Sequence, residues 1–315
     1  MTPRKRISII TACYNEEDNV QEAYEAVRRV MAGRLSAYDY EHIFSDNASK
    51  DRTVELLTEI AASDKRVKVI VNSRNIGPFR NTFNGMKHAT GDAVVVLLAA
   101  DLQDPPELIA DFVEHWEKGY KIVYGIRRKR EESFWLRTLR KAYYRLVEHM
   151  SDVHVPSDAG EFQLIDRIVA DSVLQVDDYY PYIRGLIAQT GFSSKGIPYT
   201  WLRRERGLSK NRMFHLIDQA LNGIISTSKT PLRLCILLGL VLSLLSMGYA
   251  VYSLVANLLK LGQVPTGIPT VIVALFFFNG LLLFFIGILG EYVLAIHEQL
   301  RRGPPMIEMK KINIE

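Results

Sequence analysis

The sequence predicts an α/β protein, a mixed but mainly parallel sheet with helices on both faces, followed by two membrane-spanning helices. Three observations carry this. As far as Ile126, short β-branched runs alternate with longer stretches of helical period, the pattern of strands joined by crossover helices. Some strand candidates, such as AVVVLLA at 93–99, are apolar throughout rather than alternating, as strands covered on both faces are. Near the C-terminus, Leu234–Leu259 and Leu261–Gly290 contain no charged residue, and each exceeds the roughly 20 residues a helix needs to cross a bilayer core.

In chain order, RISIITA reads as the first strand, and a helix follows from about Glu17 to Met31. YEHIFS is the second strand and DRTVELLTEIAAS the second helix; VKVIVN and GPFRNTFNGMKHA are the third pair. AVVVLLA and PPELIADFVEHWEK are the fourth, and KIVYGI the fifth strand. Beyond Ile126 the alternation loosens. GIRRKREESFWLRTLRKAYYRLVEHM reads as a basic helix with aromatics, SDAGEFQLIDR as a turn entering a short strand, and YTWLRRERGLSKNRM as a charged loop. In the next stretch Met213, Phe214, Ile217, Leu221, Ile224 and Ile225 recur every three or four residues. One apolar stripe directly ahead of a span predicts a helix lying in the membrane interface.

The chain therefore divides into a soluble domain (1–208), a juxtamembrane amphipathic helix (209–230), a hairpin of two spans (231–297, with helices at about 232–258 and 268–292) and a tail (298–315). KLGQVPTGIP between the spans is too short for a domain, so both ends of the hairpin face one side. Arg203, Arg204, Arg206, Arg212, Lys229 and Arg233 precede the first span, and Arg301, Arg302, Lys310 and Lys311 follow the second. That excess places both termini and the soluble domain in the cytoplasm, on a cell membrane.

Several classes are excluded. Cys13 and Cys235 are the only cysteines, too few for a disulfide framework and without metal-site spacing. The net charge of +4 gathers near the spans rather than along a nucleic-acid groove. The basic, apolar start MTPRKRISIITACYNEE ends its apolar part too soon for a signal peptide. ACYNEEDN stands where a dinucleotide site needs Gly-x-Gly-x-x-Gly, and there is no Gly-Lys-Ser/Thr loop.

In sheets of this kind functional groups gather where strands reach their C-terminal edge. Three polar clusters fall there: CYNEE, SDNASKD and ADLQD. Asp101, Gln103 and Asp104 together supply hard oxygen donors that suit Mg2+ or Mn2+ and not zinc. Asp104 reads as the cap of a helix beginning at Pro105. Asp46 ends the second strand, where its carboxylate can accept hydrogen bonds from a base N–H, and Asn15 and Glu16 end the first.

With SIITACYNEEDNV, SDNASKDRT, ATGDAVVVLLAADLQDPPELI, GIRRKR and SDAGEFQLIDR in this order ahead of two spans, the chain resembles the family 2 inverting glycosyltransferases. It is similar in particular to the polyprenyl-phosphate branch, which includes bactoprenol glucosyltransferases and dolichyl-phosphate mannosyltransferases. The resemblance implies a GT-A (Rossmann-like) fold, a nucleotide-sugar donor lying across the strand ends, and a membrane polyprenyl phosphate as acceptor. It further implies that Tyr14, Asn15, Glu16, Asp46, Asp101 and Arg127 serve the nucleotide-sugar, that Asp101 and Gln103 ligate the metal, and that Asp101 and Asp158 are catalytic, Asp158 standing near the acceptor. Arg203, Arg206 and Lys210 would hold the acceptor phosphate.

This chain departs from the family where Ala99 replaces the first carboxylate of Asp-x-Asp, and where Asn47 and Ala48 replace Asp-Gly. UDP-glucose and undecaprenyl phosphate are the substrates the likeness favours, with GDP-mannose the alternative donor. The reading from another class is a membrane scaffold or nucleotide-sugar-binding protein that has lost chemistry. Small residues at Gly239, Ser243, Gly280 and Gly287 offer faces for helix packing, so a homo-oligomer is expected.

Overall fold

The computed structural model describes residues 4–128, 159–176, 178, 181–200, 268–301 and 306–314, with scattered positions between 232 and 255. Its strands are β1 (Arg6–Cys13), β2 (Asp39–Asp46), β3 (Val67–Asn72), β4 (Ala93–Val96), β5 (Ile122–Arg128), β6 (Ala159–Asp166), β7 (Ser194–Thr200) and β8 (Glu308–Ile312). The helices are α1 (Val20–Ala32), α2 (Thr53–Ser63), α3 (Pro78–Lys87), α4 (Leu108–Glu117), α5 (Arg167–Leu174), α6 (Ile183–Gln189) and α7 (Ile268–Arg301).

All eight strands form one sheet in the order β7-β5-β6-β4-β1-β2-β3-β8. β4, β1, β2 and β3 run parallel, β6 enters antiparallel between β4 and β5, and β7 lies parallel to β5. Period-2 alternation then splits the apolar side chains between two faces. Ile7, Ile9, Val95 and Leu164 meet α1 and α4 on one face, and Ile10, Val94, Val96 and Ile165 meet α3, α5 and α6 on the other. Both faces are buried, which explains the continuous apolar strands.

Through KIVYGI the elements agree with the sequence reading in type and order, with several bounds corrected. β4 stops at Val96, three residues short of the AVVVLLA run, because Leu97 turns to a φ of 51°. Leu98 is nonetheless fully buried, its N–H donating to Ile10 O at 2.9 Å. Hydropathy reported burial there and not ladder pairing. α1 starts at Val20 rather than near Glu17, since the N–H groups of Asn19 and Val20 both close onto Glu16 O. α4 starts at Leu108 with Glu107 at its cap, so Asp104 does not cap it.

Tyr199 and Thr200, read as part of a charged loop, close strand β7. The tail likewise contributes to the fold: β8 pairs antiparallel with β3, covering that edge of the sheet. Asn313 Nδ2 donates to Ala61 O and Val67 O at 2.7 and 2.8 Å, and His88 Nε2 lies 2.6 Å from Glu308 Oε1.

Contacts divide the chain into two units, one of 1–148, 153–216 and 302–315, the other of 149–152 and 217–301. Within the second, α7 is the one helix among the described residues long and apolar enough to cross a membrane, over Phe277–Leu294 with a mean hydropathy of 1.9. Phe277, Leu283 and Phe284 stand exposed on it. It runs to Arg301, beyond the expected end near 292. The first expected span is described at scattered positions between 232 and 255, each of them helical, and all of the juxtamembrane helix lies outside the described residues.

Candidate active site

The C-terminal ends of β1 and β2 are joined by hydrogen bonds between the loops that leave them. Asn15, at a φ of 52°, donates its N–H to Ser49 Oγ at 2.8 Å, and its side-chain oxygen accepts from Lys50 N at 2.8 Å. Glu16 N donates to Thr53 Oγ1 at 2.9 Å, and Glu16 Oε2 accepts from Asn19 Nδ2 at 2.6 Å. Tyr14, Asn15 and Glu16 are half-buried. Asp46 is fully buried, and Ser49 donates to both its carboxylate oxygens, from N to Oδ2 at 2.9 Å and from Oγ to Oδ1. Burial raises its pKa, with the Ser49 hydrogen bonds partly opposing. Asp46 thus braces the loop, and its carboxylate keeps a further acceptor position.

Asn47 and Ala48 also have structural work. Asn47 Oδ1 accepts from Ile76 N at 2.8 Å, and its amide donates to Asn75 Oδ1 at 3.0 Å. Ala48 adopts a φ of 61°, the left-handed region for which glycine is the usual residue.

Beyond β4, residues 97–104 form a loop with two bulky residues at positive φ, Leu97 at 51° and Leu102 at 53°. Such conformations for large side chains cost of order 1–3 kcal/mol each and persist where surrounding packing imposes them. Asp101 and Gln103 are half-buried on this loop, with Gln103 N donating to Asp101 Oδ1 at 3.3 Å. A carboxylate and an amide oxygen two residues apart are a donor set for a hard cation whose remaining positions go to water and substrate phosphate. Among the described residues no cluster of three His, Cys, Asp or Glu forms a closed metal cage.

Asp104 is buried, with 3% of its surface exposed. Arg127, at the end of β5, donates from Nη2 to its Oδ1 and Oδ2 at 3.2 and 3.1 Å. Tyr199 of β7 donates its hydroxyl to Asp104 Oδ1 and accepts from Arg127 Nε at 3.0 Å. Burial would lower the Arg127 pKa, but Asp104 outweighs it and the net shift is upward. The Tyr199 phenol is raised by burial and then by Asp104. On β6, Glu161 Oε1 lies 4.0 Å from Arg184 Nε. Burial raises the Glu161 pKa, against the opposing charges of Arg184 and Arg127.

Because β6 runs antiparallel to its neighbours, its start shares an edge with the ends of β1, β2, β4, β5 and β7. The fold thus brings Tyr14, Asn15, Glu16, Asp46, Asp101 and Gln103 to one edge, as their positions after strands predicted, and Arg127 of β5 joins them there. Asp158, Arg203, Arg206 and Lys210 lie outside the described residues, but the chain enters β6 at Ala159 and leaves β7 at Thr200 on that same edge. Glu161, Arg184 and Tyr199 were missed, and Asp104 was read as an oxygen donor or a cap rather than as the partner of Arg127 and Tyr199. Glu161 sits within SDAGEFQLIDR, so its motif was visible though its own carboxylate was not singled out; nothing near Tyr199 in sequence announces a partner 95 residues away.

A mixed sheet with acidic, amide and basic side chains gathered at its strand ends is the arrangement of the GT-A class. The chain belongs to glycosyl transferase family 2: residues 8–174 match that family, and residues 230–296 match the GtrB C-terminal hairpin. It is 35% identical to the uncharacterized glycosyltransferase YkcC of Bacillus subtilis, over 100% of this chain and 97% of that protein. It is 30% identical to the SfII prophage-derived bactoprenol glucosyl transferase of Shigella flexneri, over 97% of this chain and 98% of that one. Among solved structures, the mannosyltransferase PcManGT from Pyrobaculum calidifontis, in complex with GDP-Man and Mn2+, aligns over 96% of this chain and 89% of that one, with a TM-score of 0.49 and 18% identity.

Proposed function

We propose that the chain moves a sugar from a nucleoside diphosphate onto the phosphate of a membrane polyprenol, with inversion at the anomeric carbon. UDP-glucose and undecaprenyl phosphate are the favoured pair. The observation that carries this reading is the convergence of Tyr14, Glu16, Asp101, Gln103 and Arg127 on the edge where the chain passes from Asp158 into β6. Relatives of nearly full length, named bactoprenol glucosyl transferases, support the acceptor class.

An acceptor phosphate oxygen attacks the anomeric carbon as the bond to the donor diphosphate breaks, its electron pair leaving with the diphosphate. Tyr14 and Glu16 border the nucleotide, and Arg127 faces the donor phosphates while Asp104 holds it. Asp101 and Gln103 would hold Mg2+ or Mn2+, which when bound offsets negative charge on the leaving diphosphate. The acceptor phosphate is already largely ionised near neutral pH, so Asp158 orients it or takes a residual proton. Glu161 is a second carboxylate at this edge suited to the same task. Arg203, Arg206 and Lys210 neutralise the acceptor, a task that guanidinium geometry fits.

The membrane keeps the acceptor tail in the bilayer, so only its head must reach the site, which removes part of the entropic barrier. In this reading the hairpin crosses twice with both termini cytoplasmic. Gly280 and Gly287 place small residues on α7, a composition suited to helix packing in a homo-oligomer.

The test incubates purified protein with labelled UDP-glucose or GDP-mannose, Mg2+ or Mn2+, and undecaprenyl phosphate. Transfer moves label into the lipid phase. Label that stays aqueous with both donors, alongside retained UDP binding, would favour the scaffold reading.

A further inference from the structure

Three chain segments meet at the hydroxyl of Tyr199. Asp104 closes the loop that bears Asp101 and Gln103, and Arg127 and Tyr199 are the penultimate residues of β5 and β7. After Thr200 the chain runs on into Arg203, Arg206 and Lys210. An ion pair alone leaves a carboxylate free to turn about its last torsion, whereas a third group bonded to both partners removes that freedom. Tyr199 is such a group, since its one hydroxyl donates to Asp104 and accepts from Arg127.

Gly125 of β5 makes room for the ring, since a Cβ there would come 2.6 Å from Tyr199 Cε1. Tyr199 is buried and belongs to the same apolar cluster as Val123 and Phe162, so the ring is held independently of its hydroxyl.

We infer that Tyr199 and Asp104 are positioning residues: they lock the loop carrying Asp101 and Gln103 in register with Arg127. The inference rests on the proposed glycosyl transfer.

The test uses the full-length protein in detergent and measures Mn2+ binding by electron paramagnetic resonance, UDP binding with Mn2+ present by calorimetry, and the thermal transition. Tyr199→Phe keeps the ring in its packing and should fold. It is expected to lose about tenfold in Mn2+-dependent UDP affinity, the scale of one hydrogen bond to a charged group. Asp104→Asn keeps the shape and should show a similar loss, and the double variant should be no worse than the weaker single, as residues acting as one unit behave.

A role confined to stability would lower the thermal transition and leave Mn2+ and UDP affinities alone, which overturns the inference. Wild-type affinities in Tyr199→Phe overturn it as well, and should that variant fail to fold, Asp104→Asn decides on the same readouts. Absence of Mn2+-dependent UDP binding in the wild-type protein would instead overturn the proposed function.

Discussion

Arg127 Nη2 stands 3.1 Å from Asp104 Oδ2, so the guanidinium proposed to face the donor phosphates is already paired with a buried carboxylate. Asp104 is thereby committed to Arg127 and Tyr199. With Ala99 in place of a further acid, Asp101 is the carboxylate this loop has left for a metal.

Asp101→Ala should therefore abolish sugar transfer and metal-dependent UDP binding while leaving the thermal transition within a few degrees of wild type. Asp101 is half-buried and caps no helix, so its loss empties the donor set without opening the core. Full activity in this variant would remove the metal assignment.

Ala99→Asp should tighten Mn2+ binding several-fold, because it restores a second hard anionic oxygen two residues before Asp101. Ala99 is half-buried rather than enclosed, which leaves room for the larger side chain. Titration of Mn2+ by paramagnetic resonance measures the change; unchanged affinity would mean that position 99 does not face the ion.

Arg127→Ala should lower stability by about 2 kcal/mol, the scale of leaving one buried acceptor without its charged partner, reduced because a third of the Arg127 side chain is exposed. Asp104→Ala combined with Arg127→Ala should then be less destabilised than the two single losses added together. Chemical denaturation of the four proteins checks this, and strict additivity would show that the pair is not coupled.

His42 makes stability depend on pH. It is fully buried on β2 with Nε2 2.9 Å from Thr11 Oγ1 and its ring 4.0 Å from that of Phe44, and burial pushes its pKa from 6.5 down to about 3. The unfolded chain binds a proton that the fold refuses between those values, so this contribution is fully present above about pH 6.5 and is lost as pH falls towards 3. The slope approaches 1.4 kcal/mol per pH unit at most. In His42→Gln the fall in the thermal transition between pH 6.5 and 4.5 should be smaller; an identical pH profile would assign the acid sensitivity elsewhere.

Removal of residues 306–315 should lower the thermal transition by several degrees and promote self-association. The cut exposes the unpaired edge of β3, a template for pairing with another chain, and strips Asn313 from Ala61 O and Val67 O. Light scattering with a thermal scan measures both effects.

Much of this protein was legible in its sequence because the signals are local. Apolar runs of strand length, helices between them, and polar clusters where each run ends place Tyr14, Glu16, Asp46, Asp101 and Gln103 on one sheet edge from residue order alone, while Arg127 came with the family resemblance. The uncharged run that becomes α7 is likewise set by composition, since a bilayer selects for length and apolarity alone.

Tertiary structure decided what depends on distant partners. Nothing local marks Glu308–Ile312 as a strand: the segment is short and highly charged, and it pairs only because β3 offers an open edge. Asp104 looks like a helix cap until β5 and β7 bring Arg127 and Tyr199 to it from 23 and 95 residues away. Residue type and spacing record which side chains are able to carry charge or coordinate a cation. Which of them are neutralised by one another is fixed by sheet order, because Coulomb attraction and hydrogen bonding act through space and take no account of sequence separation.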